Sequence, residues 1–294
     1  MQNQIPFEKF WAVFAALILA GLACLSLPGS STPPALPTSG SQELFQGVTY
    51  TKEVRTSPRP VVIHVVEVDL RAAGIGILVT PGDPDQELPL EARTTSEFLE
   101  EFGVQIAVNG DGFTPWRSGF NAYPQSGDRV DVLGFAASNG VVYSQPRDDV
   151  PTLYFGRTKN KAVFNRPPSK ILHAISGLEM IVKSGKPLPG LGGDPQPRTA
   201  IGLNRSGKTL IIVVVDGRQS GYSEGVTVAE LAQILVDYGA HEAMNMDGGG
   251  SSTLVMEAEN GQPVVLNSPI DNQIPGRERP VGNHLGIFAR RGGD

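Results

Sequence analysis

Cysteine is almost missing. One residue, Cys24, among 294 excludes an intramolecular disulfide framework, a cysteine-based zinc site and an iron–sulfur cluster. Histidine is scarce as well. Four scattered residues argue against a His-rich metal centre and leave only oxygen-ligand cations, such as calcium, open. Positive charge is in deficit: 24 basic against 30 acidic residues give a formal charge of −6, which is no footprint for nucleic acid. Glycine and proline, by contrast, are plentiful at 35 and 24. That supports many turns but stays below the range of disordered chains.

Long hydrophobic runs are also few. The uncharged stretch 11–27, from Trp11 to Leu27, comes after Glu8 and Lys9. It is short for a transmembrane helix and long for a signal-peptide core. A Ser/Pro-rich linker succeeds it at 28–42. A buried core helix is the alternative, and a lipid-modified Cys24 is another, although Gly21-Leu22-Ala23 lacks the usual large apolar residue before such a cysteine. The expected organisation is a signal peptide or membrane anchor at 1–27, the linker at 28–42 and one domain at 43–294. The domain is then exported, either membrane-anchored or periplasmic/extracellular, and meets a membrane only through its N-terminal segment.

Within 43–294 no second linker or low-complexity segment appears, and the length suffices for one sizeable core. Val61–Leu70 is a β-branched run, and Ile201–Asp216 reads as strand, turn and buried strand. Two helices are signed by capping boxes, Thr94-Thr-Ser-Glu97 and Thr227-Val-Ala-Glu230. In the second, Leu231, Ile234, Leu235 and Tyr238 share one face, and Gly239 supplies the stop. Glu230 is therefore read as a capping partner, and His64 and His284, in apolar strand contexts, as core histidines. The expected fold class is α+β, a mixed and largely antiparallel twisted sheet with a few covering helices.

The segments after the two helices are alike. Gly103, a five-residue strand and Asn109-Gly-Asp111-Gly112 match Gly239, a five-residue strand and Asn245-Met-Asp247-Gly248 at a constant offset of 136. The match is either coincidence or a pseudo-duplicated helix–strand–loop unit that brings two polar tips together at strand ends, where open sheets place their chemistry. Gly202–Thr209 satisfies the phosphate-loop pattern, but a strand rather than a helix comes after it. Helical amides would then not face a phosphate, and Asn204-Arg-Ser-Gly207 reads as a hairpin turn.

Four polar clusters remain: Asn109–Phe113, Arg198–Ala200, Asp216–Arg218 with Tyr222–Gly225, and Asn245–Ser252. Asp216 ends an apolar strand and either caps a turn or points into a cleft. After Asp247 come Gly248, Gly249, Gly250, Ser251 and Ser252, more backbone freedom than one turn needs. Bare glycine amides approach and bind anions. Arg198 and Arg218 add bidentate phosphate contacts. Asn109 with Asp111 is alternatively an oxygen-ligand cation site.

These segments, together with Ile175-Ser-Gly177, Ser223–Thr227 and Arg279-Pro-Val-Gly-Asn283, resemble the phosphodiester glycosidases, relatives of the uncovering enzyme that removes N-acetylglucosamine from phosphodiester-linked glycans. They run in the family's order over most of 60–290. Asp111 departs from the small residue expected there. The resemblance implies hydrolysis of a sugar-1-phosphodiester in an envelope or extracellular glycan, with no required cofactor. Asp247 is expected as nucleophile or base and Asp216 as its partner. Arg198, Arg218 and the Gly248, Gly249 and Gly250 amides would hold phosphate, with Asn109 and Asn245 on sugar hydroxyls. Thr199, Ser251 and Arg279 complete the expected substrate-binding set, and no metal ligand is assigned. Two alternatives are a non-catalytic module that binds polysaccharide or peptidoglycan, and a cation-stabilised structural protein.

Overall fold

The β-branched runs pair with one another. In the computed structural model, Val61–Asp69 and Thr209–Val215 lie side by side at the centre of an eight-stranded sheet. Residues 39–119, 122–145, 147, 150–157 and 161–292 are described. The run 11–27, Cys24 and all but the end of the 28–42 linker lie outside the described residues. No helix among the described residues is long and apolar enough to cross a membrane.

Strands are numbered β1–β21 along the chain. The large sheet has the order β1 (Gly40–Phe45), β2 (Val48–Arg55), β3 (Val61–Asp69), β17 (Thr209–Val215), β16 (Arg198–Leu203), β18 (Glu242–Asn245), β14 (Glu179–Lys183) and β15 (Lys186–Pro187). A second sheet runs β20 (Pro263–Val265), β19 (Leu254–Glu257), β6 (Ile106–Asn109), β21 (His284–Phe288) and β4 (Gly76–Val79). A third runs β10 (Val141–Ser144), β9 (Ala136–Ser138), β13 (Ile171–Ser176), β11 (Thr152–Gly156) and β12 (Ala162–Phe164). The fourth is small: β5 (Leu90–Glu91), β8 (Arg129–Val132) and β7 (Phe113–Thr114).

Every pairing between these strands is antiparallel. The expected mixed sheet is therefore corrected to antiparallel sheets. With two helices among the described residues, α1 (Thr95–Phe102) and α2 (Val228–Asp237), the fold is richer in β structure than an α+β description conveys. Hairpins such as β1–β2, β2–β3 and β16–β17 return the chain antiparallel through short turns, and the longer connections pair their strands antiparallel as well. One such turn is the rejected phosphate loop. Asn204–Thr209 closes the β16–β17 hairpin through Asn204 N–H to the Thr209 carbonyl at 3.1 Å.

The strand β17 explains its own composition. Leu210, Ile212 and Val214 pack into the main core with Ile106, Val108, Leu285 and Leu254 of the second sheet. The alternate residues Ile211, Val213 and Val215 pack under α2 against Leu231, Ile234 and Leu235. A strand buried on both faces must be apolar throughout. On the far side α1 covers the second sheet, with Phe98 and Leu99 against Ala107 and Val255. The layers are thus helix, sheet, sheet, helix. Both helices carry the reciprocal capping box, a feature that contributes about 1 kcal/mol. Both are succeeded by a glycine at positive φ, Gly103 at 64° and Gly239 at 87°.

The repeated motif is a repeated structure. β6 comes after α1, is flanked by β19 and β21, and sits under α1; β18 comes after α2, is flanked by β14 and β16, and sits under α2. The register also corresponds. His284 faces Asn109 and Ala200 faces Asn245. The residue before each of these partners accepts the next N–H of the tip: Gly110 N–H to the Asn283 carbonyl at 2.9 Å, and Met246 N–H to the Thr199 carbonyl at 2.8 Å. The two copies belong to facing sheets, so their tips meet.

Candidate active site

The meeting of the tips is direct. Asn109 Nδ2 donates to the Asp247 carbonyl at 2.8 Å, and Asp247 N–H donates to the Gly110 carbonyl at 3.2 Å. Asn109 Oδ1 accepts from Thr199 Oγ1 at 2.8 Å and from Thr253 N–H at 3.2 Å. Asn109 and Thr199 are both fully buried. Both side chains, expected on substrate, bond β6, β16 and the Asp247 loop together in this structure. Asn245 is buried too. Its Nδ2 reaches Glu179 Oε1 at 3.5 Å, and its Oδ1 has no partner among the described residues.

Asp247 faces a cavity of about 210 Å³ lined by Gly112, Phe113, Trp116, Leu133, Leu178 and Arg279 as well. Burial pushes its carboxyl above the usual range, while a hydrogen bond from Ser251, the Arg279 charge and the Gly248 amide pull it back. Gly248 N–H donates to Asp247 Oδ1 at 2.9 Å. Ser251 Oγ in turn accepts from Arg279 Nη1 at 3.3 Å, so Ser251 bridges the acid and the guanidinium.

Two of the three glycines lie against arginine side chains, and the third lies against the Pro197 backbone. Gly249 has φ +62°, and a Cβ there would stand 3.1 Å from Arg218 Nη2. A Cβ on Gly250 would collide with the Arg279 guanidinium. On Gly248 it would come within 2.9 Å of the Pro197 carbonyl and 3.7 Å of Arg198 Cα. The loop is thus a floor under Arg198, Arg218 and Arg279. Its amides are less free than expected: Gly248 N–H is on Asp247, and Gly249 N–H donates to the Pro197 carbonyl at 2.9 Å. With the 3₁₀ turn Gly249–Ser251 these two amides are bonded within the protein.

Arg198 donates to the Val226 and Asp194 carbonyls at 3.2 and 3.0 Å, and Arg218 donates to Gln196 Oε1. Among the described residues neither has a carboxylate in ion-pair contact. Burial lowers the pKa of both, and a neighbouring guanidinium adds to it, Arg218 for Arg198 and Arg279 for Arg218. Arg279 is held by Asp271 Oδ1 at 2.7 Å and lies 5.2 Å from the Trp116 ring centroid. Trp116 itself is 49% exposed.

Asp216 is a different kind of acid. Its side chain is inaccessible and four donors occupy it. Oδ1 accepts from Asn267 Nδ2 at 3.1 Å and Ser268 N–H at 2.8 Å. Oδ2 accepts from Tyr222 Oη at 2.9 Å and His64 Nε2 at 3.1 Å. Burial alone would raise this carboxyl, yet His64, Ser268 and Tyr222 hold it below the usual range. His64 is a satisfied core histidine, as expected, with Tyr50 Oη 2.8 Å from its Nδ1. His284 is core but not satisfied: its Nε2 has no partner among the described residues, and the ring stacks on Phe98 at 4.7 Å. Glu230 caps α2 and pairs with Arg59.

Sequence reasoning does not single out Trp116, Leu133, Leu178, Gln196 or Asp271. Trp116 carries a usable signal, one of two tryptophans and five residues past Asp111. The others come from distant turns with no motif of their own. A second cleft of about 260 Å³ is lined by Leu70, Ile77, Phe155, Leu172, His173 and Phe288 among others, with no acid or arginine among the described residues that line it. Among the described residues no group of three or more His, Cys, Asp or Glu is placed to hold a metal ion.

Comparisons with known proteins bear on the family and the fold. Residues 97–288 match the family profile described as phosphodiester glycosidase. A Bacillus subtilis (strain 168) protein, the SPbeta prophage-derived uncharacterized protein YomE, is 38% identical over 91 residues, which cover 31% of this chain and 12% of that protein. Two solved structures share the fold. One is a hypothetical protein from Synechocystis, with TM-score 0.59 and 15% identity over 83% of this chain and 62% of that one. The other is the zebrafish N-acetylglucosamine-1-phosphodiester alpha-N-acetylglucosaminidase catalytic domain, auto-inhibited by its pro-peptide, with TM-score 0.57 and 21% identity over 87% of this chain and 85% of that one.

Proposed function

The chain belongs to the phosphodiester glycosidase family, and from that premise we propose that it hydrolyses the bond between a sugar anomeric carbon and a phosphodiester oxygen. One observation supports the reading above others: two guanidiniums, Arg218 and Arg279, lie against the glycine loop beside a cavity-facing carboxyl, Asp247, with Arg198 close enough to Arg218 for that charge to lower its pKa. Breaking a glycosyl phosphate bond develops positive charge at the sugar and returns negative charge to the phosphate. A carboxylate answers the first and arginines the second.

In this reading the sugar occupies the cavity with its ring against Trp116, whose exposed face and underlying Arg279 make a stacking platform. Asp247 either attacks the anomeric carbon or takes a proton from the attacking water. Its burial favours the more basic carboxyl that both roles need. The anomeric C–O bond breaks towards phosphate, which departs as a monoester whose added charge falls on Arg198 and Arg218. Asp216 holds the Arg218 turn from behind. Export of the domain, and an envelope or extracellular glycan as substrate, are part of the same proposal and rest on residues 1–42 of the sequence alone.

The test is incubation with a sugar-1-phosphodiester bearing a chromogenic group on phosphate, following free sugar and phosphomonoester together. Equimolar release of both is expected. Asp247→Asn is expected to lower the rate by at least roughly a thousandfold, as loss of a reacting group does. Binding of the diester with no release would transfer the reading to a glycan-binding module.

A further inference from the structure

The other tip of the duplicated unit holds a carboxyl that the reaction above leaves unused. Asp111 corresponds to Asp247 at the offset of 136, and it stands where the resemblance expects a small residue. The tips touch at the backbone, through Asn109 Nδ2 to the Asp247 carbonyl and Asp247 N–H to the Gly110 carbonyl. Asp111 is the next residue. It is 1% exposed, and its oxygens are clamped: Oδ1 accepts Gly112 N–H at 2.7 Å, and Oδ2 accepts Gly134 N–H at 2.8 Å. Asp111 N–H donates to Asn283 Oδ1 at 2.9 Å. A carboxyl held by one amide on each oxygen cannot swing away. Gly112 and Leu133, next to the two clamps, line the same cavity as Asp247.

We infer that Asp111, and not Asp216, is the carboxyl partner of Asp247, a positioning residue that acts on the substrate through the charge it places at the tip that meets the Asp247 loop. When neutral, Asp111 leaves Asp247 as the single carboxylate of the cavity. When ionised, it adds a second negative charge that opposes an anionic substrate. The inference rests on the reading of Asp247 as the reacting carboxyl. Asp216 is unsuited to the part, since four donors already occupy its oxygens and its side chain is inaccessible.

The charges around the pair are few. Asp111 faces Asp247 from the opposite tip and Arg147 from the segment after β10. The Tyr143 hydroxyl on β10 is near enough for Asp111 to raise its pKa. Asp247 faces Arg279 from the loop before β21. No arginine or lysine among the described residues forms an ion pair with Asp111. Burial pushes Asp111 up to about 7, the Asp247 charge adds to this, and the two amides and Arg147 oppose it. The Asp247 charge raises Asp111, and Asp247 itself is supported by Ser251, Gly248 and Arg279, so Asp111 is the member of the pair that titrates near neutrality.

Two measurements separate this inference from the reaction it rests on. The first is the pH profile of kcat/KM on the phosphodiester. The wild type is expected to lose roughly tenfold between about pH 7 and 9, as the second charge enters and repels the anion. Asp111→Asn is expected to lose that alkaline limb. Asp111→Gly, which removes the same charge with no side chain to fit, serves where the asparagine variant fails to fold. The second needs no turnover: carboxyl carbon-13 titration of Asp111 in the wild type and in Asp247→Asn. Removing the neighbouring charge is expected to lower the Asp111 midpoint by roughly one unit. An unmoved midpoint, or superimposable pH profiles, overturns the inference. A moved midpoint in a protein that cleaves no phosphodiester upholds the pair and overturns the reaction.

Discussion

Asp216→Asn separates an acid that holds the fold from one that reacts, and the structure sets the size of the effect. The carboxylate accepts four hydrogen bonds, two on each oxygen, inside a site with no solvent access. Asparagine keeps one acceptor and replaces the other with an NH₂ group. In either orientation two donors then face a donor: His64 and Tyr222, or Asn267 and Ser268. Each buried group left unpaired costs about 1–3 kcal/mol, so the substitution is expected to cost about 3–5 kcal/mol. For a domain of this size that is a fall in Tm of roughly 10 °C.

The pH dependence carries a sign. The folded-state carboxyl lies below its ordinary value, so its contribution to stability is complete above the unfolded pKa of roughly 4 and is lost as pH falls through the lower folded value. The difference in stability between wild type and Asp216→Asn should therefore be constant above about pH 5 and shrink in stronger acid. Differential scanning calorimetry across about pH 3–8 reads both effects. A variant that melts within roughly 2 °C of wild type at neutral pH yet has lost turnover would refute the reasoning and restore Asp216 to the chemistry.

Asn109→Ala is expected to leave the Thr253 N–H, the Asp247 carbonyl and the Thr199 hydroxyl without their bonds, at about 3 kcal/mol or more. Equilibrium denaturation checks this, and a loss below about 1 kcal/mol would return Asn109 to a ligand role. Arg218→Ala is expected to raise KM for a phosphodiester by roughly tenfold to a hundredfold, as the loss of a charge-assisted hydrogen bond does. A neutral glycoside should be affected far less, and equal effects on the two substrates would remove Arg218 from the anion site.

The parts legible in the sequence are those written in local grammar. The capping boxes at Thr94 and Thr227, the glycine stops, the Asn204–Thr209 hairpin and the two-sided burial of β17 each depend on a few adjacent residues, and each is present. The motif pair Asn109–Gly112 and Asn245–Gly248 is also visible, because a duplication keeps its spacing. Which member of each motif faces inward is not written locally. Asn109, Thr199 and Asp216 have the chemistry of ligands, and the structure commits all three to holding strands together. Thr253 lies 144 residues from Asn109, and Asn267, Ser268 and His64 lie 51, 52 and 152 residues from Asp216. The same blindness hides Asp111. In the sequence it reads as a candidate cation ligand beside Asn109 and as a departure from the small residue expected there. Only the approach of two sheets, which no local pattern encodes, brings its tip against the Asp247 loop, with two glycine amides on its carboxyl and no ion-paired arginine or lysine among the described residues. A polar motif on a strand end therefore says that a site is near. Counting the donors around each carboxyl separates the two acids: Asp216 has four in a site with no solvent access, while Asp247 has Gly248 N–H and Ser251 and faces a cavity.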